Sequence, residues 1–340
     1  MSMKWQYDQT RDIDVICMGR VAVDLYSEQI GSSLEDTQTF RKYLGGCAGN
    51  IAVGSARAGL QSAMFSCVGT DAMGQFLKDE LQKESVDITL LKETSRHLTG
   101  LVLLGVNPPN RFPLIFYREN CADMQLSIED VDTDFITLSK SLLITGTGLS
   151  SASMRATTHH AVSIAKSVNT RVIFDLDYRP VLWGLTDQGD GETRFKISRE
   201  VSLQYQAILP HCDLVVGTEE EILIGGQGDT LDQALKNIRA LTLAPIVMKR
   251  GEQGCQIYLN DLTHPISAQP FPVQVLNVLG AGDAFMSGFL RGLLRGESWE
   301  TCAAYGNASG AIVVTRHGCA PAMPYFNEIQ TLIHERSAAC

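Results

Sequence analysis

The sequence predicts an α/β fold: a doubly wound, mostly parallel sheet with helices on both faces and a small β lid. Three observations point there. Short β-rich runs recur along the chain, several intervals between them carry apolar residues at three- and four-residue spacing, and alternation of the two patterns is what βαβ units require. The length of 340 residues, with 44% hydrophobic and 19% charged content, supplies a core large enough for such a sheet.

Taken in order, the first strand is I-D-V-I-C-M at 13–18. Leu25 to Thr39 is polar and irregular, and Gly45-Gly46 then opens a run of small residues, Ala48 to Ala58, that reads as a tightly packed helix. A-M-F-S-C-V at 63–68 is the next strand, followed by helical spacing from Ala72 to Leu81. Leu101 to Val106 and Phe112 to Tyr117 flank N-P-P-N, so they read as a hairpin rather than a βαβ unit. The rhythm resumes with S-L-L-I-T at 141–145, a helix over Met154 to Ala165, and strands at 171–176, 212–216 and 245–249. Ala284, Phe285, Met286, Phe289, Leu290, Leu293 and Leu294 trace one face of a final helix. Segments 25–44 and 98–122 break the rhythm and are expected to form the lid of one domain spanning 1–335.

A formal net charge of -10 argues against a partner held by phosphate neutralisation, so no nucleic-acid partner is expected. The N-terminal dodecapeptide lacks the apolar core of a signal peptide, and no run approaches the roughly 18 apolar residues of a membrane span. The expectation is a cytoplasmic protein with no membrane partner. Nine cysteines without a C-x-x-C pair fit reduced, mostly buried thiols better than a disulfide frame or a zinc site. His159-His160 reads as part of a helix surface.

Two glycine motifs carry chemistry. In N-V-L-G-A-G-D (277–283), Gly280-Ala281-Gly282 lies at a helix N-terminus, where free N–H groups attract anions. Asp283 beside them could take the proton of a hydroxyl attacking phosphorus, or it could simply cap the helix. The third glycine of G-x-G-x-x-G is missing and no G-x-x-x-x-G-K-[ST] occurs, which removes support for a dinucleotide fingerprint and a Walker loop. The second motif, G-G-C-A-G-N from Gly45 to Asn50, offers close backbone approach and an amide that both donates and accepts.

Gly45-Gly46-x-Ala48-x-Asn50-x-Ala52 with Gly59 and Gly69, together with Asn277 through Gly288, resembles the two signatures of the ribokinase-like (PfkB) carbohydrate kinases. The likeness runs from about Ile13 to Pro324. It implies ATP-dependent phosphorylation of a sugar hydroxyl, with Asp283 as base and the N–H groups of Gly280, Ala281 and Gly282 as anion hole. A base at a helix N-terminus is expected to stay ionised at neutral pH. Asp24, Gly45, Gly46 and Asn50 would hold the sugar, and Lys249, Gly251, Gly254 and Asn307 would lie beside ATP. The family's N-x-x-E, which organises Mg2+ and its waters, is matched to Gly217-Thr218-Glu219-Glu220, leaving Glu220 as the acid. The resemblance further implies a homodimer through the lid and activation by a monovalent cation such as K+.

Arg118 in F-Y-R-E-N and Arg179 in D-L-D-Y-R-P-V-L-W suit a carboxylate, although each could instead form a surface ion pair or a phosphate contact. The same segments resemble kinases of keto-deoxy sugar acids. They imply a sugar-acid partner, foremost 5-dehydro-2-deoxy-D-gluconate of myo-inositol degradation, with 2-keto-3-deoxygluconate, then fructose or ribose, as rivals. A nucleoside kinase and a non-catalytic sugar or nucleotide sensor are the remaining alternatives.

Overall fold

The computed structural model describes residues 8, 10–108 and 111–339. Most of the N-terminal dodecapeptide, the second half of the N-P-P-N turn and Cys340 lie outside them. The strands are β1 (Ile13–Met18), β2 (Ala22–Ser27), β3 (Phe40–Gly45), β4 (Ser62–Gly69), β5 (Leu91–Thr94), β6 (Leu101–Leu104), β7 (Leu114–Tyr117), β8 (Ser139–Thr145), β9 (Arg171–Asp175), β10 (Leu214–Thr218), β11 (Ile246–Lys249), β12 (Cys255–Tyr258) and β13 (Ile266–Ala268). The helices are α1 (Cys47–Arg57), α2 (Ala72–Lys83), α3 (Thr133–Thr137), α4 (Ala152–Ser167), α5 (Arg199–Ile208), α6 (Glu219–Gly226), α7 (Leu231–Leu241), α8 (Ala281–Leu294), α9 (Trp299–Val314) and α10 (Phe326–Ala339).

Nine strands form one sheet in the order β13-β12-β11-β10-β9-β8-β1-β4-β5. The pairs from β11 to β5 are parallel, and β12 and β13 close one edge antiparallel. Both faces are covered, as a parallel sheet requires. Alternate residues of β1 show it: Ile16 and Met18 join the core under α4, α5 and α7, whereas Val15 and Cys17 join the core under α1, α2 and α8. Side-chain caps start most helices; the Asp71 carboxylate, for example, accepts from Met73 N and Gly74 N at the head of α2. The helix heads α1 and α8 have glycine there instead and no side-chain cap.

A second sheet, in the order β3-β2-β6-β7, is built from the segments that break the βα rhythm. The expected hairpin is present as the antiparallel pair β6–β7. Leu25 to Ser27, part of the stretch read as irregular, belongs to β2. This sheet is fastened to the turn after α9. The Tyr26 hydroxyl and Cys319 Sγ are 2.7 Å apart, Tyr43 Oη lies 3.2 Å from His317 Nδ1, and His317 Nε2 lies 3.0 Å from the Ser27 carbonyl.

Eight cysteines among the described residues are free and buried. Among the same residues no helix is long and apolar enough to cross a membrane. His159 and His160 sit half-buried on α4.

Candidate active site

The chain order reverses between β1 and β8, and the carboxyl ends of parallel strands beside such a reversal form a crevice. Of the polar residues singled out in the sequence, Lys249 ends β11 and Arg179 follows β9, whereas Asp24 comes from β2, Asn50 from α1 and Asp283 from α8.

Gly280 precedes α8 at φ 83°, and a Cβ on it would stand 2.9 Å from Cys319 Sγ, so the turn requires glycine. Fully buried Asn277 shapes the same turn, its Oδ1 accepting from Leu279 N at 3.0 Å. Helical bonding begins with Ala284 N to Gly280 O at 2.9 Å; Ala281 N donates to Val278 O at 3.4 Å, and the Gly282 and Asp283 N–H groups have no backbone acceptor among the described residues, as donors of an anion cradle require. Asp283 lies in that first turn and accepts from Asn50 Nδ2 at 2.7 Å, which brings the two glycine motifs together. Asn50 is buried and its Oδ1 has no hydrogen-bond partner among the described residues. Burial pushes the Asp283 carboxyl above the usual range, and the Asp177 charge adds to this; the Asn50 bond opposes both. Desolvation thus acts against the helix-terminus effect on this acid.

Asp24 lies on β2 and is 5% exposed, packed so closely on Gly45 that a Cβ there would stand 2.1 Å from its carboxylate. It makes no hydrogen bond to another described residue. Burial raises its carboxyl to about 7, against the opposing charges of Arg20 and Arg118. An acceptor desolvated in advance suits sugar hydroxyls, and it costs stability. A carboxyl whose pKa is raised on folding stabilises the fold below its unfolded value near 4, and that contribution is lost as pH rises to 7. Asp24→Asn is expected to be more stable than the wild type above pH 7, by as much as about 4 kcal/mol, with the gain fading toward pH 4 in urea denaturation. Gly46, next to Gly45, caps α1.

Beneath these groups lies a network absent from the sequence reading. Arg20 Nη2 meets Asp177 Oδ2 at 3.1 Å, and Thr147 joins both, bonding the Arg20 Nε at 3.1 Å and Asp177 Oδ2 at 2.9 Å. These contacts hold Asp177 at φ 23°, a strained value for a residue with a side chain, and keep its carboxyl well below the usual range despite burial. Lys249 Nζ lies 3.3 Å from Asp175 Oδ1 and 3.9 Å from Glu221 Oε2. Burial raises the Asp175 carboxyl to about 7, against the pull of Lys249. Lys249 Nζ also lies 3.3 Å from where a Cβ on Gly282 would stand, so its charge faces the cradle.

Glu220, expected to serve magnesium, is exposed. Glu221 takes the buried position: it closes a capping box with Thr218 and accepts from Tyr178 N at 3.1 Å. The motif therefore registers one residue later, as Thr218-Glu219-Glu220-Glu221. The signal was in the sequence, because Thr-x-x-Glu at a helix start is a capping box whose Glu reaches back to the N–H of the Thr.

The pfkB family carbohydrate kinase model matches residues 12–325. The chain belongs to this family. Among its relatives, a 5-dehydro-2-deoxygluconokinase of Bacillus subtilis (strain 168) is 31% identical over 338 residues, covering 98% of this chain and 100% of that one. One of Clostridium tetani is 34% identical over 339 residues, 97% of this chain and 96% of the other. Two solved structures share the fold at 23% identity, each covering 95% of this chain and 99% of the other. They are a fructokinase of Xylella fastidiosa with bound ATP, at a TM-score of 0.81, and an E. coli protein provisionally called ribokinase II in complex with ATP and Mg2+, at 0.84.

As a pfkB kinase the protein is a phosphotransferase acting on a sugar hydroxyl. Its expected nucleotide-side residues lie around the β11–β12 turn and the end of β13. Gly251 is exposed in the β11–β12 turn, Gly254 packs on the Ala268 carbonyl, and Asn307 Nδ2 donates to Ala268 O at 3.2 Å and Gln269 O at 3.0 Å. Asn307 thus ties α9 to the end of β13. No group of three or more His, Cys, Asp or Glu that could hold a metal occurs among the described residues. Asp175 Oδ2 is nonetheless a buried carboxylate oxygen with no partner. With Glu221 beside Lys249, that donor set fits a hydrated magnesium carried on nucleotide phosphates better than a cage of protein ligands.

The arginines differ. Arg118 is 5% exposed and paired with Asp123, which is 3% exposed. It helps line a cavity of about 470 Å³ that includes Arg20, Phe116, Thr147 and Gln188 but neither Asp24 nor Asp283. The cavity adjoins the reacting groups through Arg20 rather than containing them. Arg179 is held loosely, 3.6 Å from Asp177 and 3.8 Å from Glu221.

Proposed function

We propose that this kinase phosphorylates the terminal hydroxyl of 5-dehydro-2-deoxy-D-gluconate with MgATP, giving the 6-phosphate and ADP, as a cytoplasmic step of myo-inositol degradation. The near full-length similarity to kinases of that name carries the reading. The arginine-rich crevice supports it, since a neutral sugar needs no guanidinium.

Asp24 accepts from the sugar hydroxyls and Asn50 orients Asp283. Asp283 removes the proton of the terminal oxygen as it attacks phosphorus, and Lys249 and the N–H groups ahead of α8 receive the charge on the moving phosphoryl group. Magnesium, organised near Asp175 and Glu221, would supply charge neutralisation on the phosphates. The edge strand β3 of the small sheet, paired only with β2, supports a homodimer joined there. Activation by K+ belongs to the same reading.

An ADP-release assay with MgATP against 5-dehydro-2-deoxygluconate, 2-keto-3-deoxygluconate, fructose, ribose and adenosine tests it. The first acid is expected to give the highest kcat/KM. A neutral sugar or a nucleoside in first place would refute the substrate assignment. Exchanging K+ for tetramethylammonium in that assay reads out the cation.

A further inference from the structure

We propose that the cavity beside Arg20 is the subsite for the carboxylate end of the substrate, held between the guanidinium groups of Arg20 and Arg118, with Arg20 as the residue that sets the preference for an acid. The inference rests on the sugar-acid reading above. It gives Arg20 the part that the sequence pattern had given to Arg179.

In 5-dehydro-2-deoxygluconate the carboxylate and the reacting hydroxyl stand at opposite ends of the carbon chain. A site that seats this hydroxyl at Asp283 therefore needs a second compartment for the acid. The cavity of about 470 Å³ has that relation to the reacting groups, since Arg20 lines it while Asp24 and Asp283 do not. Arg20 follows β1 of the large sheet and Arg118 follows β7 of the small one, so each sheet supplies a cation to the wall.

Both cations are buried, with side chains 11% and 4% exposed, and both have donors left over. Arg20 spends Nε on Thr147 and Nη2 on Asp177, each at 3.1 Å, and its Nη1 bonds to no described residue. Arg118 meets Asp123 through Nη2, and its buried Nε has no hydrogen-bond partner among the described residues. Unmade hydrogen bonds on a buried cation are costly, and a carboxylate is the acceptor that suits guanidinium forks.

The acids nearby leave room for an anion. Asp177 is bonded to Arg20 and Thr147 and takes no part in the lining. Asp123 lines the cavity with Oδ2 on Arg118 and Oδ1 unpartnered, an acceptor for a substrate hydroxyl, and Glu119 is exposed to solvent. Met124, Met154, Val181 and Leu182 make an apolar wall, against which a charge-assisted bond is stronger than in water. Arg179 does not line the cavity, and its firm bond is to the neighbouring carbonyl, Tyr178 O at 2.8 Å.

The test measures Kd for 5-dehydro-2-deoxygluconate by calorimetric titration in the wild type, Arg20→Gln, Arg20→Lys, Arg179→Gln, Gln188→Glu and Gln188→Lys. Arg20→Gln is expected to raise Kd about 10- to 100-fold, the range for losing a charge-assisted contact, with partial recovery in Arg20→Lys and a smaller rise in Arg179→Gln. Because Arg20 also answers buried Asp177, its loss can unfold the chain. Gln188 lines the cavity from an exposed position and bonds to no described residue, so its variants probe the same charge without that risk. Gln188→Glu should weaken acid binding about two- to tenfold and Gln188→Lys should tighten it by a similar factor, with Kd for MgADP unmoved in both. Equal acid affinity in the two Gln188 variants, or wild-type affinity in a folded Arg20→Gln protein, overturns the assignment while leaving the sugar-acid reading in place. A larger rise from Arg179→Gln than from Arg20→Gln overturns it in favour of Arg179. If the wild type neither binds nor phosphorylates any sugar acid, both readings fall.

Discussion

Asp283→Asn is expected to lower kcat about a hundredfold or more while changing the sugar Kd no more than a few-fold. The amide preserves shape and can still accept the bond from Asn50 Nδ2, so the variant removes the proton acceptor and little else. Burial and the Asp177 charge both raise the Asp283 carboxyl, so the acid limb of the kcat profile should lie above the usual carboxylate range. Asp177→Asn removes a neighbouring negative charge and releases Arg20 and Arg179 from it, and each effect favours the anion of Asp283. That limb is therefore expected to move to lower pH. Stopped-flow or coupled ADP assays across pH measure both effects; near wild-type turnover in Asp283→Asn would remove the base from the mechanism.

Lys249→Met is expected to destabilise the fold by about 3–5 kcal/mol, the cost of stranding buried carboxylates without their counter-charge. Asp175 and Glu221 both face Lys249 with side chains 2% and 7% exposed, so neither recovers its solvation when the ammonium is lost. Adding Asp175→Asn should return much of that stability, because one stranded charge goes with it. Activity should not return, since Lys249 also faces Gly282 in the cradle. Urea midpoints and kcat, measured on the single and double variants, separate the two roles. Recovery of both together would make Lys249 a purely structural cation.

Much of this architecture was legible because burial on two faces writes continuous apolar runs into strands. The run at 13–18 coincides with β1, and the runs at 63–68, 141–145 and 245–249 fall inside or within a residue of β4, β8 and β11. The glycine motifs were legible for a related reason: a turn lying against Cys319 and a strand lying against the Asp24 carboxylate exclude every side chain. Arg20, Thr147, Asp175 and Asp177 were not legible. They sit at the ends of three strands, β1, β8 and β9, and meet only through the sheet order, and no local pattern distinguishes them from strand-end polar residues. Glu221 was missed by one position in a run of three glutamates, where only the capping geometry of Thr218 tells which one turns inward. The rise in the Asp283 pKa was missed because the helix terminus can be read from sequence while the depth of burial cannot.

The contact between Tyr26 and Cys319 gives the molecule a yoke. Tyr26 and Asp24 share one side of β2, so the strand proposed to seat the sugar also contacts Cys319, and Cys319 in turn fills the space against the Gly280 turn. Neither partner of the transfer can shift alone: a displacement that misplaces the acceptor strains the receptacle of the phosphoryl group as well. Fidelity toward a sugar over water is then a property of the scaffold joining the two sides, not of the base by itself.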